Sequence, residues 1–242
     1  MPRGQPDYGL YTDTPVASGI SDPGEAAARL GSINVYDRRG WTVWFDDFEA
    51  PSLKWVGART APGAFPVLST GQAFSGIQSV HLNAPAGVAS ASSIARRFPL
   101  IRRGKVGFEI WVQGTTVTPG YLELRADIHD GVTPYWAAWR YYSAGRDLYI
   151  VTPDGEELID NLAYMISSRF YFLPVKLVVD MDTDLYTRLV VGEREHDISA
   201  YGQNVMAPGT NKFIEVTISI APNAVFDQKM YLDNFILTQN EP

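Results

Sequence analysis

Cysteine is absent from this 242-residue chain. Without thiols there are no disulfides, no zinc–thiolate or iron–sulfur sites, and no cysteine nucleophile. Histidine is scarce: His81, His129 and His196 lie far apart, each in a strand-like setting, with no metal-ligand spacing. Lysine is scarce as well, at 5 against 15 arginines. A net charge of −7 leaves no basic stripe of the kind a general phosphate-backbone binder needs, so no nucleic-acid partner is expected. No run approaches the ~18 consecutive apolar residues of a membrane span, and no membrane partner is expected. Residues 1–8 lack the apolar core of a secretory signal peptide. No Gly-x-Ser-x-Gly elbow, phosphate loop or dinucleotide fingerprint occurs. The expectation is a protein that is not an enzyme.

What the chain does have is strand text. Aromatic residues make up 12%, and 21 Gly and 16 Pro are spread along the length. A sandwich of roughly 250 residues can form a single domain. From residue 41 onward, β-branched and aromatic runs are cut by Gly, Pro, Asn or Asp. Strands are expected at 42–45, 77–83, 92–98, 104–113, 121–129, 137–142, 147–152, 171–180, 185–191, 193–198, 214–221 and 230–238. Pro153-Asp154-Gly155 and Asp182-Thr183-Asp184 read as hairpin turns. The fold class is all-β: a two-sheet antiparallel jelly-roll sandwich over 41–242. Residues 1–40 are set apart as an extended N-terminal arm broken by Pro and Gly. It carries one short helix at about 23–30, with Asp22 as N-cap, Pro23 at the first position and Gly31 as the stop.

Alternation assigns faces. Val106, Phe108, Ile110 and Val112 share one face; Lys105, Gly107, Glu109, Trp111 and Gln113 share the other. Leu122, Leu124, Ala126 and Ile128 oppose a polar row of Glu123, Arg125, Asp127 and His129. Tyr135, Ala137, Trp139 and Tyr141 oppose Trp136, Ala138, Arg140 and Tyr142, and the second set is the better candidate for an exposed strip. Flat rings beside hydrogen-bonding charges suit a sugar, a core or an interface alike. The candidate carbohydrate-binding residues are Trp136, Trp139, Arg140, Tyr142, Glu123, Arg125 and Asp127. Glu123 and Asp127, four apart on one strand, lie about 13 Å apart. That is too far for a glycosidase pair, whose carboxyls stand roughly 5–9.5 Å apart. Asp180, Asp182 and Asp184 imitate an EF-hand start, but Leu185 stands where its Gly belongs, so they read as a hairpin tip.

Three stretches carry a resemblance. Trp44-Phe-Asp-Asp-Phe-Glu49 with Trp55 and Phe74-Ser-Gly-Ile-Gln-Ser-Val-His-Leu82 resembles the opening of carbohydrate-binding-module jelly rolls. Met230-Tyr-Leu-Asp-Asn-Phe-Ile-Leu237 resembles their last strand. The 175–191 stretch is similar to the hairpin of concanavalin A-like and laminin G-like domains. The resemblance implies a structural calcium held by Asp47, Glu49 and Asp233, with carbonyls near Gly76 and Ser79. It also implies a glycan as a ligand. Laminarinase-type relatives carry Glu-x-Asp-x-x-Glu on one strand, which this chain lacks.

Two roles follow as expectations. The first is a structural or assembly protein, most concretely a phage virion component such as a capsid decoration or a head/tail accessory. It would be made in the host cytoplasm and dock on other virion subunits through its arm, as a homo-oligomer. The alternative is a lectin-like carbohydrate-binding module. A divergent glycoside hydrolase ranks third.

Overall fold

The computed structural model describes residues 37, 39–87, 90–100, 104–114, 120–162, 171–222 and 227–242. The helix expected at 23–30, and most of the arm, lie outside these residues. Among the described residues sixteen strands occur in chain order: β1 Trp41–Asp46, β2 Val56–Arg59, β3 Phe65–Ser69, β4 Ser79–Ala84, β5 Ser92–Pro99, β6 Lys105–Gly114, β7 Gly120–Asp130 and β8 Tyr135–Tyr142. They continue as β9 Asp147–Thr152, β10 Gly155–Asn161, β11 Leu173–Asp180, β12 Leu185–Val191, β13 Arg194–Asp197, β14 Asn204–Val205, β15 Lys212–Pro222 and β16 Gln228–Gln239. Every expected strand is present. Strands β2, β3, β10 and β14 are additional.

The strands form two eight-stranded antiparallel sheets. The first runs β13-β12-β11-β6-β16-β4-β3, with β1 also on β16; the second runs β10-β9-β8-β7-β15-β5-β2, with β14 also on β8. The expected sandwich is therefore the observed one. The period-2 pattern explains why: Val106, Phe108 and Ile110 of the first sheet and Leu122, Leu124, Ile218 and Ile150 of the second are buried in one core. At one end the core is aromatic, with Trp44, Phe48, Trp55, Phe98 and Phe235 packed at ring separations of 5.0–6.3 Å. Burying these rings adds to the apolar driving force of a core that is otherwise mostly aliphatic.

One side chain crosses the core to fix the second sheet. Between β8 and β9 the ladder runs from Tyr142↔Asp147 to Trp139↔Ile150 and then stops. There the buried Tyr186 of β12 inserts its hydroxyl, accepting from the Ala138 N–H at 3.0 Å and donating to the Val151 carbonyl at 2.5 Å. Asn204 donates to the same carbonyl at 2.8 Å, and β14 takes over as the neighbour of β8 beside Trp136.

The outward face of the first sheet is covered. Glu109, Gln113, Lys176 and Arg188 all point away from the core yet are buried. Asp37, Arg39 and Glu241 lie over Glu109, Lys176 and Arg188. Lys176 Nζ reaches Asp37 at 3.1 Å, Glu241 at 2.9 Å, its cross-strand neighbour Glu109 at 4.0 Å, and the Arg39 carbonyl at 3.1 Å. Arg188 pairs with Glu241 and lies 3.6 Å from Asp37. Gly107 is required here: a Cβ at that position would collide with Thr238, Glu241 and Lys176. The face that carries Glu109 and Gln113 is thus buried, although it points away from the core.

Candidate functional site

The outward face of the second sheet stays accessible, and it carries most of the residues singled out in the sequence. On β7, Glu123, Arg125, Asp127 and His129 point out, because Leu122, Leu124, Ala126 and Ile128 are taken by the core. On β8, Trp136, Arg140 and Tyr142 point out for the same reason. Trp139 does not join them. It is fully buried among core residues, so its place in the candidate sugar-binding set is corrected: alternation puts it on the inner face with Ala137 and Tyr141.

The charges on this face are organised into two groups. Arg140 binds Glu123 across the strand pair and Glu156 of β10 at 2.6 Å, and the Tyr142 hydroxyl donates to Glu156 at 2.8 Å. Burial, helped by the Glu156 carboxylate, pushes the Tyr142 hydroxyl up to about 12. Tyr121, Tyr142 and Tyr149 form a ring series beside this group, with separations of 5.7 and 5.5 Å. In the second group, Arg125 pairs with Asp127 at 2.6 Å and lies over the Trp136 ring at 4.2 Å. Burial raises the Asp127 carboxyl against the pull of Arg125. The polar row of β7 is therefore divided between two groups. Glu123 and Asp127 each spend a carboxylate oxygen on an arginine of the same sheet.

Cross-strand register extends the face further. Trp136 stands opposite Asp127, Asp127 opposite Glu215, and Glu215 opposite Arg97, making one row over four strands. Arg97 pairs with Glu215 and lies 4.6 Å over Phe213, which also packs on His129 at 4.2 Å. Glu156, Glu215, Tyr121, Tyr149 and Arg97 were missed in the sequence. The alternation of Phe213, Glu215, Thr217 and Ser219 against Ile214, Val216, Ile218 and Ile220 is a signal that could have placed Glu215 here.

The residues suggested for calcium lie elsewhere, at the loop before β4. Asp233 sits at a bulge of β16, where Asn234 adopts φ 46° and the register with β6 shifts. Its carboxylate accepts from the N–H groups of Phe74 at 2.7 Å, Ser75 at 3.1 Å and Asn234 at 2.8 Å. Glu49 accepts from the N–H groups of Ile77 and Gln78, both at 2.9 Å. Gly76, at φ +67°, lies against that carboxylate, leaving no room for a side chain. Asp47 accepts from the Glu49 N–H in a local turn. Burial raises the Asp233 carboxyl to about 6 despite its three donors, and Glu49 adds to the rise.

The structure thus brings Glu49 and Asp233 to one loop but turns N–H groups, rather than carbonyls, toward them. Calcium needs six to eight oxygens. The observed donor set does not fit that requirement, and among the described residues no group of three or more His, Asp or Glu side chains could hold a metal ion. Melting in a chelator and in excess calcium should give the same midpoint. A calcium-dependent rise, which binding to the folded state alone would produce, would restore the ion.

Among the described residues the three histidines stay apart. His81 stacks on Tyr231 at 4.6 Å, His129 packs on Phe213, and His196 lies 3.2 Å from Asp160. Asp180 caps the Asp182 N–H at 2.8 Å within the β11–β12 hairpin, as its spacing suggested.

With two antiparallel sheets and a polar, aromatic outer face, the chain has a jelly-roll sandwich fold of the lectin-like kind. Among solved structures it is similar to the cellulose-induced protein Cip1, at 14% identity and TM-score 0.53, covering 81% of this chain and 97% of that one. It is similar to an endo-β-1,4-glucuronan lyase from the fungus Trichoderma reesei, at 10% identity and TM-score 0.55, covering 81% and 95%. A Bacillus subtilis protein with a galectin-like fold matches at 15% identity and TM-score 0.52, covering 83% and 97%. No family model and no curated protein matches the chain. At these identities the likeness establishes the fold. It extends over nearly the whole length of each neighbour.

Proposed function

We propose that this chain is a non-catalytic saccharide-binding sandwich that takes a glycan along the outward face of its second sheet. The observation that carries this reading is the half-buried Trp136, fixed under Arg125, with two arginine–carboxylate groups following it along the outward face of one sheet. A sugar offers apolar C–H faces to a ring and hydroxyls to charged partners, and this surface supplies both. Galectin-like and glucuronan-lyase neighbours support the reading, since a glycan-directed activity is named for the lyase. A lyase among the neighbours also means that the fold itself admits catalysis. Here Glu123 and Asp127 are engaged by arginines, which favours binding over chemistry. Neither the fold nor these neighbours point to a phage particle, so they lend no weight to the virion role expected from the sequence.

The test is a glycan array followed by calorimetry on the best ligand. Trp136→Ala should weaken binding about tenfold or more, equivalent to ~1.4 kcal/mol, while the melting curve stays cooperative. Absence of binding to every neutral and acidic saccharide would end this reading.

A further inference from the structure

The arginines that surround Trp136 are all engaged. Arg97 holds Glu215, Arg125 holds Asp127, and Arg140 holds Glu123 and Glu156 together. In these pairs four carboxylates stand against three cations, and the surplus lies at Arg140. Neighbouring groups respond to that imbalance. Burial is the main cause of the rise in the Asp127 carboxyl, and Glu215 adds to it. Burial likewise leads the rise of the Tyr142 hydroxyl, and Glu156 adds to that. The whole chain carries a net charge of −7, which gives the same sign at longer range.

Each carboxylate is engaged at one oxygen only. Arg140 takes Glu123 at Oε2, Arg125 takes Asp127 at Oδ1, and Arg97 takes Glu215 at Oε2. Both donors on Glu156, from Arg140 and Tyr142, go to Oε1. Among the described residues no donor hydrogen-bonds to Glu123 Oε1, Asp127 Oδ2, Glu215 Oε1 or Glu156 Oε2. All four side chains are partly exposed, so a ligand can reach them. An ionised carboxylate only accepts, and a hydroxyl donating to it makes a charge-assisted bond. Glu123 and Asp127 stand about 13 Å apart along β7, so a ligand of several sugar units meets acceptors along its length. A uronate or sulfate group instead brings another anion to a surface whose arginines are already paired.

We infer that the Trp136 face selects uncharged saccharides. Their hydroxyls donate to the open oxygens of Glu123, Asp127, Glu156 and Glu215, and the carboxylate surplus repels acidic glycans. The inference rests on the saccharide-binding reading and adds its substrate class. Trp136 supplies the platform for a sugar ring of either kind; the four carboxylates decide which charge is admitted. No bond is made or broken.

The experiment uses the full chain and an array that carries each backbone in neutral and anionic form, such as cello-oligosaccharides beside β-1,4-oligoglucuronates and galacto-oligosaccharides beside their sulfated forms. Calorimetry then compares the two members of the strongest-binding pair. The neutral member should bind about tenfold tighter at low salt. The gap should narrow as sodium chloride is raised, because screening relieves the repulsion. Glu215→Gln, which leaves Arg97 without its carboxylate, should narrow the gap about threefold. Glu156→Gln, on the edge strand β10, should narrow it too and guards against a folding defect at the centre of the sheet. Equal affinity, or tighter binding of the anionic member, overturns the charge selection and leaves the saccharide-binding reading standing. A gap that salt leaves unchanged, or that neither substitution narrows, overturns it as well. Failure of every saccharide on the array to bind removes both readings together.

Discussion

Lys176→Met should destabilise the protein by about 3–5 kcal/mol, the range expected when one partner of a buried ion pair is removed. Lys176 is fully buried and stands among three carboxylates, Asp37, Glu109 and Glu241. Met fills similar space but leaves Glu241 to Arg188 and Asp37 to Arg39 and Arg188, with Glu109 losing its cross-strand cation. Urea unfolding would show the loss as a lower midpoint. A midpoint within ~0.5 kcal/mol of the unaltered protein would mean that the cluster is solvated.

The same cluster sets a pH dependence. Burial pushes the Glu109 carboxyl up to about 8, against the pull of Lys176 and with Asp37 and Glu241 adding to the rise. At neutral pH Glu109 therefore keeps its proton, and Asp37 and Glu241 are the carboxylates that meet Lys176, Arg188 and Arg39. A carboxyl raised in the folded state favours folding while protonated, and that contribution fades as pH climbs from about 4.5 through about 8. Asp37 has the opposite sign: burial would raise it, but Arg39 and Lys176 hold it below its ordinary value. Its contribution is present above that value and is lost in acid. Glu109→Gln should thus flatten the decline between about pH 6 and pH 9, measured by urea midpoints at both.

Trp139→Ala should cost about 3–5 kcal/mol, as truncating a buried aromatic does. Trp139 is fully buried between the sheets, with its backbone paired to Leu124 and Ile150. Trp136, three residues earlier, points the other way. Trp136→Ala should cost less than half as much stability but should lose glycan affinity. Measuring stability and binding for both variants crosses the two effects. If Trp136→Ala were the more destabilising, the assignment of outer and inner faces on β8 would be wrong.

The contrast between these tryptophans marks how far the sequence was legible. Alternation read the β6, β7 and β8 cores correctly because each is a long strand with one apolar face. It split Trp136 from Trp139, yet both were taken as sugar-binding, since ring chemistry alone does not tell a platform from a core residue. Four strands escaped. β2 is Val-Gly-Ala-Arg, exposed and without a period; β3 contains Pro66; β10 is an acidic edge; and β14 is two residues long. The expected start of β4 at Ile77 moved to Ser79 because Glu49 captures the N–H groups of Ile77 and Gln78.

What covers a face is a tertiary fact that period-2 reading does not reach. Alternation puts Glu109 on the face of β6 away from the core, and only the chain above it, at Asp37 and Glu241, makes that position buried. For the candidate site, the polar row on β7 was legible, but its partners Glu156, Tyr149, Glu215 and Arg97 come from other strands. Alternation could have put Glu215 on an outward face, but which strands stand side by side is set by the register.

The Tyr186 hydroxyl acts as a shear pin. Sheets held together by apolar contact alone can slide along their strands at little cost, and this chain has no covalent staple to prevent it. One phenol anchored in the first sheet, engaging an amide of β8 and a carbonyl of β9 in the second, sets the offset between the two layers. Burial also raises its proton affinity, so the pin stays in place well into alkaline conditions. A load on Trp136, two residues from the pinned amide, is thereby passed to the opposite layer.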